Sequence, residues 1–339
     1  MGYRRREVPL AGYHDRVLAC VHPPEAQASL FPATDYLTGE AFRVARCTIC
    51  SLVRTLPQPS AGELVRYYPG GYYGQGQRYN RLIQSLLNCL YGHRAARIER
   101  ACGGHPGRVL DVGCGPGHLL RALRQRGWQT LGTEMTERSA AYARNVLGLD
   151  VRSRPLQDLA LPDASFDAVV VWHVLEHLHE PDRLAREISR ILKAGGLLFL
   201  GVPNFGSLEA RLTGPGWFHL DVPRHLTHFT SESLRQLLTM NSLRPAATGY
   251  CSPEYDAFSL VQSLLNAIGL RHNLLYDLLR TRGAKLLNGH GQISRLHIML
   301  TLLAAPMLIA GAAALTPLLA GLGLGGTVTI EAFKECPAS

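Results

Sequence analysis

The chain has 339 residues, enough for one large domain with appendages or for two domains. Apolar residues make up 46%, an ordinary globular share, and the formal net charge of +9 calls for an anionic partner: nucleic acid, a membrane surface or an acidic substrate. Eight scattered cysteines argue against a disulfide scaffold and for a reduced, cytoplasmic setting, and the opening MGYRRREVPL has charge but no apolar core of a secretory signal behind it.

Residues 1–60 read as a small zinc-ribbon-like module. Cys47 and Cys50, spaced C-x-x-C, would place two thiolates on one metal from a tight turn. Upstream only Cys20 and His22 are available, spaced C-x-H. Zinc held by Cys20, His22, Cys47 and Cys50 is one reading; a module that keeps its shape by packing alone is the other. A redox pair is disfavoured, because no thioredoxin-like strand and helix surround it.

Within residues 61–105, the run YYPGGYYGQGQRYN combines Tyr67, Tyr68, Tyr72, Tyr73 and Tyr79 with four glycines and leads into a helical run. This pattern predicts a lid over the site that follows, or a linker packed onto the core through its tyrosines. His93 and Arg94 are expected to face solvent or that lid.

The stretch RVLDVGCGPGH, Arg108 to His118, is a strand that turns into a helix through Gly113, Gly115 and Gly117. Such a turn lets a ligand approach the backbone at a helix N-terminus. No Gly-Lys-Ser/Thr follows, so a triphosphate loop is excluded. The next strand ends in Glu134, a carboxylate suited to two ribose hydroxyls. Strands are predicted near 108–112, 128–134, 150–154, 167–172 and 196–203, with helices near 117–126, 136–147 and 181–193. That alternation gives a doubly wound parallel sheet whose ligands lie at the carboxyl ends of its strands.

LDVGCGPG, then GTE, then SFDAVVVWHVLEHLHEPDRLAREISRILKAGGLLFLGVPN, together resemble class I S-adenosylmethionine-dependent methyltransferases over Arg108 to Asn204. The resemblance implies a Rossmann-like seven-stranded sheet with its last strand antiparallel. The cofactor-binding domain would comprise 106–255 and 325–337. Asp111, Gly113 and Gly115 would line the methionine end of S-adenosylmethionine, with Cys114, Gly117 and Met135 beside them, and Glu134 would hold the ribose. Pro155 falls where relatives often place an adenine contact, so Gln157, Asp158 or the Leu156 backbone is expected to replace it. Relatives also carry a cysteine module of the C-x-x-C…C-x-x-C kind before this domain, from which the present chain departs.

His173, Glu176, His177 and His179 follow the fourth strand. The H-x-x-E-H spacing is reminiscent of an inverted zincin, but no third ligand lies at a fitting spacing. The resemblance implies instead that this segment shapes the pocket floor and caps the next helix, with His173 touching acceptor or cofactor. Residues 215–234 add His219, Asp221, Arg224, His225 and His228. Methyl transfer needs a group to take the acceptor's proton, and a histidine oriented by a carboxylate suits that. Asp221 with His225 or His219 is such a pair, or else these residues tie down a long loop. His228 is expected to cap toward Thr230.

The sixth strand is predicted at 245–251 and the last at 326–335. Between them, 256–324 forms a basic and apolar insertion. Residues 298–324 carry no charge and could span a bilayer, yet the final strand must return to the sheet, so a helical hairpin dipping into one leaflet is expected. Arg271, Arg280, Arg282, Lys285 and Arg295 stand against Asp277 alone, a membrane-surface signature. The expected enzyme methylates a hydroxyl, or an amine, of a lipid-linked or otherwise hydrophobic acceptor, peripherally attached to the inner face of the membrane. Alternatives are a soluble sugar or natural product as acceptor, with the hairpin making a homodimer, or a binding protein that keeps the fold without catalysis. No nucleic acid partner is expected, because the basic residues lie beside leucines.

Overall fold

The computed structural model describes residues 20, 22–68, 81–281 and 294–336. Two sheets organise the chain. The first holds β1 (Gln27–Thr34), β2 (Ala41–Cys47) and β3 (Val53–Leu56), all antiparallel. The second has seven strands: β4 (Arg108–Val112), β5 (Gln129–Thr133), β6 (Val151–Arg152), β7 (Phe166–Trp172), β8 (Leu192–Pro203), β10 (Leu243–Gly249) and β11 (Thr327–Lys334). Its order is β10-β11-β8-β7-β4-β5-β6, with β4 to β8 parallel and β11 inserted antiparallel between β8 and β10. This is the predicted doubly wound sheet with its last strand antiparallel.

Residue pattern explains the elements. In β7, FDAVVVW, Ala168 to Val171 are fully buried, as expected of a strand covered on both faces. The helices α1 (Ala61–Leu64), α2 (Arg81–Ala101), α3 (His118–Gln125), α4 (Glu137–Asn145) and α5 (Pro181–Ile191) precede or connect these strands. In α5, Leu184, Ala185, Ile188 and Ile191 form one buried stripe at helical spacing. The next helices are α6 (Leu208–Thr213) and α7 (Ser231–Met240), and α7 starts with a Thr230–Ser233 capping box.

The N-terminal sheet is not closed on its own residues. Its fourth strand is β9 (Thr227–His228), two residues from the loop after β8, paired with Val53 and Arg54. His228 therefore does not cap toward Thr230: its Nε2 lies 2.9 Å from the Thr55 hydroxyl, because strand pairing turns it toward the first sheet.

Three further helices follow β10: α8 (Asp256–Ala267), α9 (Leu274–Thr281) and α10 (Arg295–Gly321). The expected hairpin at 298–324 is instead one continuous helix of 27 residues, about 40 Å long. A proline removes a single helical hydrogen bond rather than reversing the chain, and the Leu and Ala around Pro306 and Pro317 favour helix. One face of α10, with Thr301, Ala305, Ala312 and Leu319, is buried; Ala305, Ala312 and Leu319 share an apolar cluster with Leu260, Val261 and Leu265 of α8. Its other faces expose Leu302, Leu303, Met307 and Leu318. Arg282 and Lys285 of the basic stretch lie outside the described residues, and Arg271 reaches Asp277 at 3.6 Å.

Arg224 joins the two sheets. It is fully buried, donates from Nε to Asp221 at 2.8 Å, from one terminal nitrogen to Asp35 at 2.7 Å and from the other to the Tyr67 carbonyl at 3.0 Å. Asp35 is also fully buried. Arg224→Met leaves that carboxylate without its cation and is expected to cost about 3–5 kcal/mol in urea unfolding. Adding Asp35→Asn should recover part of the loss; two independent, additive losses would show that the pair is not coupled.

Candidate active site

The glycine turn after β4 is built for close approach. Gly113, Gly115 and Gly117 all have left-handed φ, at 72°, 53° and 80°. A Cβ on Gly113 would strike Val174 at 2.4 Å, whereas one on Gly115 would meet nothing within 4 Å. Gly115 therefore faces open space at the carboxyl end of the central strand. Its amide donates to Glu134 Oε2 at 2.9 Å, and the Thr136 amide donates to Oε1 at 2.6 Å. Two backbone donors thus fix the carboxylate beside the turn.

Asp111 is buried, and burial pushes its carboxyl up to about 7; the Arg94 guanidinium works against the shift, and Glu134 adds to it. Cys114 contributes backbone rather than thiol. Its Sγ packs over Gly132, where burial raises the thiol pKa, and its amide donates to the Thr133 carbonyl at 2.9 Å. Met135 is exposed, Leu156 is buried in the core, and Gln157 is half-buried on the same short helical turn.

Arg94 is a site residue that sequence reasoning missed. It was expected at the solvent or lid face, but its side chain is only 10% exposed. The guanidinium stacks 3.6 Å from the Trp172 ring centre and pairs with Glu254. The signal was available only as a helical position facing β7, which spacing alone does not reveal. His93 is exposed. Of the predicted lid tyrosines, Tyr67 is buried and donates its hydroxyl to Glu40, and Tyr68 reaches His177 Nδ1 at 3.2 Å. Tyr72, Tyr73 and Tyr79 lie outside the described residues.

The sheet's carboxyl edge brings His173 and His219 together, with ring centres 5.8 Å apart. His173 follows β7 with a left-handed φ of 53°, an uncommon conformation for a residue with a side chain. Its ring is 4.8 Å from Tyr255, at the start of α8. Burial lowers His173 to about 4 and His219 to about 3, so both rings are neutral. The Nε2 atoms of both rings and Trp172 Nε1 are buried with no hydrogen-bond partner among the described residues. Such a cluster of unpaired polar groups is what a ligand-binding surface looks like before its ligand is bound.

Asp221 and His225 are placed differently. Asp221 accepts from Arg224, while His225 Nδ1 lies 2.7 Å from the His219 carbonyl. His225 instead joins Glu176 and His177, with one ligand atom from each within 4.8 Å of the others. His173, the first histidine of the H-x-x-E-H spacing, is not in this group; its third member comes from a separate loop. Nor does the segment cap α5, whose N-cap Glu180 makes no side-chain cap bond.

In the N-terminal module, Cys20, His22, Cys47 and Cys50 each bring a ligand atom within 4.8 Å of the others. Burial pushes the Cys20 thiol up, but hydrogen bonds from Gln27, His22 and the neighbouring thiols outweigh it and bring it to about 6. Burial raises Cys50 to about 12. Three cysteine sulfurs and one imidazole are a donor set that fits a tetrahedral zinc.

A family model described as a methyltransferase domain matches residues 79–244. A protein named Probable S-adenosylmethionine-dependent methyltransferase, from Mycolicibacterium smegmatis, is 31% identical over 144 residues, covering 42% of this chain and 53% of the relative. Ubiquinone biosynthesis O-methyltransferase of Acinetobacter baumannii is 33% identical over 115 residues, covering 32% and 48%. The chain thus spans about half the length of the curated relatives it matches. Among solved structures, a SAM-dependent methyltransferase from Archaeoglobus fulgidus is similar with a TM-score of 0.46 at 20% identity, covering 73% of this chain and 94% of that one.

Asp111 and Glu134 generate opposed expectations for stability and binding. The folded pKa of Asp111 lies above the unfolded value of about 4, so through this group the unliganded fold loses stability as pH rises from about 4 to about 7. Asp111→Asn should therefore unfold at higher urea than wild type at pH 8, while binding S-adenosylhomocysteine at least about tenfold more weakly by calorimetry. Glu134→Ala should lose affinity to a similar degree without that gain in stability. Wild-type affinity in both variants would show that these carboxylates do not face the cofactor. The sheet order and the glycine turn agree with the match of residues 79–244 to a methyltransferase domain, which supports a class I S-adenosylmethionine-dependent methyltransferase.

Proposed function

We propose that this chain transfers a methyl group from S-adenosylmethionine to a hydroxyl on a hydrophobic, lipid-linked acceptor at the cytoplasmic face of a membrane. The observation that carries the reading is the continuity between site and apolar surface. Tyr255, against His173, leads directly into α8, and α8 packs on α10. The acceptor side of the pocket and the exposed apolar helix thus belong to one helical layer.

The most apolar 18-residue window of Arg295–Gly321 has a mean hydropathy of 2.2 and is only 17% buried. An exposed apolar face of this length is uncommon on a monomer free in water. The return of the chain to β11 beside β8 supports a helix lying on the membrane rather than crossing it. The relative from Acinetobacter baumannii, named for O-methylation in ubiquinone biosynthesis, is consistent with a hydroxyl as acceptor.

S-adenosylmethionine, when bound, supplies an electrophilic methyl on a sulfonium. Gly115 leaves room for it, Glu134 holds the ribose and Asp111 meets the cationic end. Gln157 and the Leu156 backbone stand on the adenine side. His173 and His219, neutral and buried, offer unpaired Nε2 atoms to the acceptor hydroxyl. The cofactor would supply its sulfonium-activated methyl to the acceptor oxygen, and His219 would take the hydroxyl proton. We also assign zinc to Cys20, His22, Cys47 and Cys50, where it would hold the N-terminal module together rather than take part in the reaction.

Incubating the protein with methyl-labelled cofactor and membrane lipid extract should put label in the organic phase, and His219→Ala should reduce it about 100-fold or more. Label confined to water-soluble product would favour a soluble acceptor. Flotation with anionic vesicles tests the surface independently. The wild type should float, and the double variant Leu303→Glu, Met307→Glu should remain at the bottom. A wild type that stays down and sediments as a dimer broken by the same variant would assign α10 to self-association instead.

A further inference from the structure

We propose that Glu176, His177 and His225 form a second metal site, for a divalent transition cation such as zinc, distinct from the cysteine cluster and set against the acceptor pocket.

Charge is the first argument. Glu176 is 2% exposed, and neither carboxylate oxygen has a hydrogen-bond partner among the described residues. His173 Nδ1 stands 3.5 Å from Oε1, without hydrogen-bond geometry. The nearby guanidinium of Arg224 is directed to Asp35 and Asp221. A carboxylate taken out of water without donors or a counter-charge is costly, and a bound cation removes that cost.

Tautomer is the second. His177 Nδ1 lies 3.1 Å from the Arg224 carbonyl, and His225 Nδ1 lies 2.7 Å from the His219 carbonyl. A carbonyl only accepts, so the neutral His225 ring carries its proton on Nδ1 and keeps its lone pair on Nε2; His177 Nδ1 faces both the Arg224 carbonyl and the Tyr68 hydroxyl, 3.2 Å away. Backbone carbonyls hold the rings of metal-binding histidines in this way.

The donor set is the third. Two imidazoles and one carboxylate suit zinc or another first-row cation and not magnesium or calcium, which prefer all-oxygen shells. Three protein ligands leave a position open for water or an oxygen of the acceptor. The bond from His225 to the His219 carbonyl also links an ion here to the position of His219. Binding at this site does not depend on the methyl-transfer reading.

Cobalt loading of the metal-stripped full chain separates the two clusters. Cobalt on the cysteines gives a near-ultraviolet thiolate charge-transfer band, which a histidine–carboxylate site lacks. Wild type should take up cobalt at both sites. Glu176→Gln, of nearly the same shape, should bind one ion fewer while keeping the thiolate band. Cys47→Ser with Cys50→Ser should lose that band and keep one ion, visible in weaker ligand-field absorption and in a raised melting temperature. If the cysteine variant fails to fold, the Glu176→Gln comparison decides alone. Equal metal content in wild type and Glu176→Gln, with the thiolate band intact in both, would overturn the proposal.

Discussion

The buried guanidinium of Arg224 is the constraint on which the site side of this molecule depends. It holds Asp35 and the Tyr67 carbonyl from the N-terminal module and Asp221 from the loop after β8. Its own backbone carbonyl meets His177, which follows β7. One residue thus fixes three segments that are distant in sequence. A buried ion pair of this kind adds little net stability over an apolar core, but it fixes one arrangement, because any other leaves a charge unpaired. That arrangement sets His219 beside His173 and His225 beside Glu176.

The proposed cofactor half and the proposed acceptor half are built on different principles. The cofactor half uses backbone: glycine turns, amide donors and a carboxylate held by two of them. The acceptor half uses side chains clustered away from water, with several nitrogens unpaired. Burial keeps the histidines neutral there, so they can accept protons or lone-pair partners but carry no charge that would repel a sulfonium. Arg94 supplies the compensating cation near Asp111 and Trp172.

Much of the fold was legible because its signals are local. Strand and helix periods, glycines at spacing two and the acid after β5 depend on neighbours a few positions away, and they gave the parallel sheet, while the family resemblance implied seven strands with the last antiparallel. The acceptor side was less legible because its contacts are distant. Nothing near Glu176 in sequence announces His225, and nothing near Arg94 announces Trp172. The pairing of β9 with β3 was equally hidden, since two residues carry no strand period. The hairpin expectation at 298–324 erred by giving two prolines more force than the surrounding Leu and Ala allow.

The two residues of β9 also bear on the order in which the molecule is made. Thr55 donates its hydroxyl to the His225 carbonyl, 170 positions later, and the edge of β3 is covered by Thr227 and His228, with the Leu226 carbonyl accepting from the Thr55 amide. During synthesis the N-terminal strands emerge first but cannot be completed until most of the chain has left the ribosome. Until then β3 presents an open edge to any other strand it meets. The small sheet can therefore close once Thr227 and His228 have emerged, ahead of the large one, which waits for β11 at Thr327–Lys334.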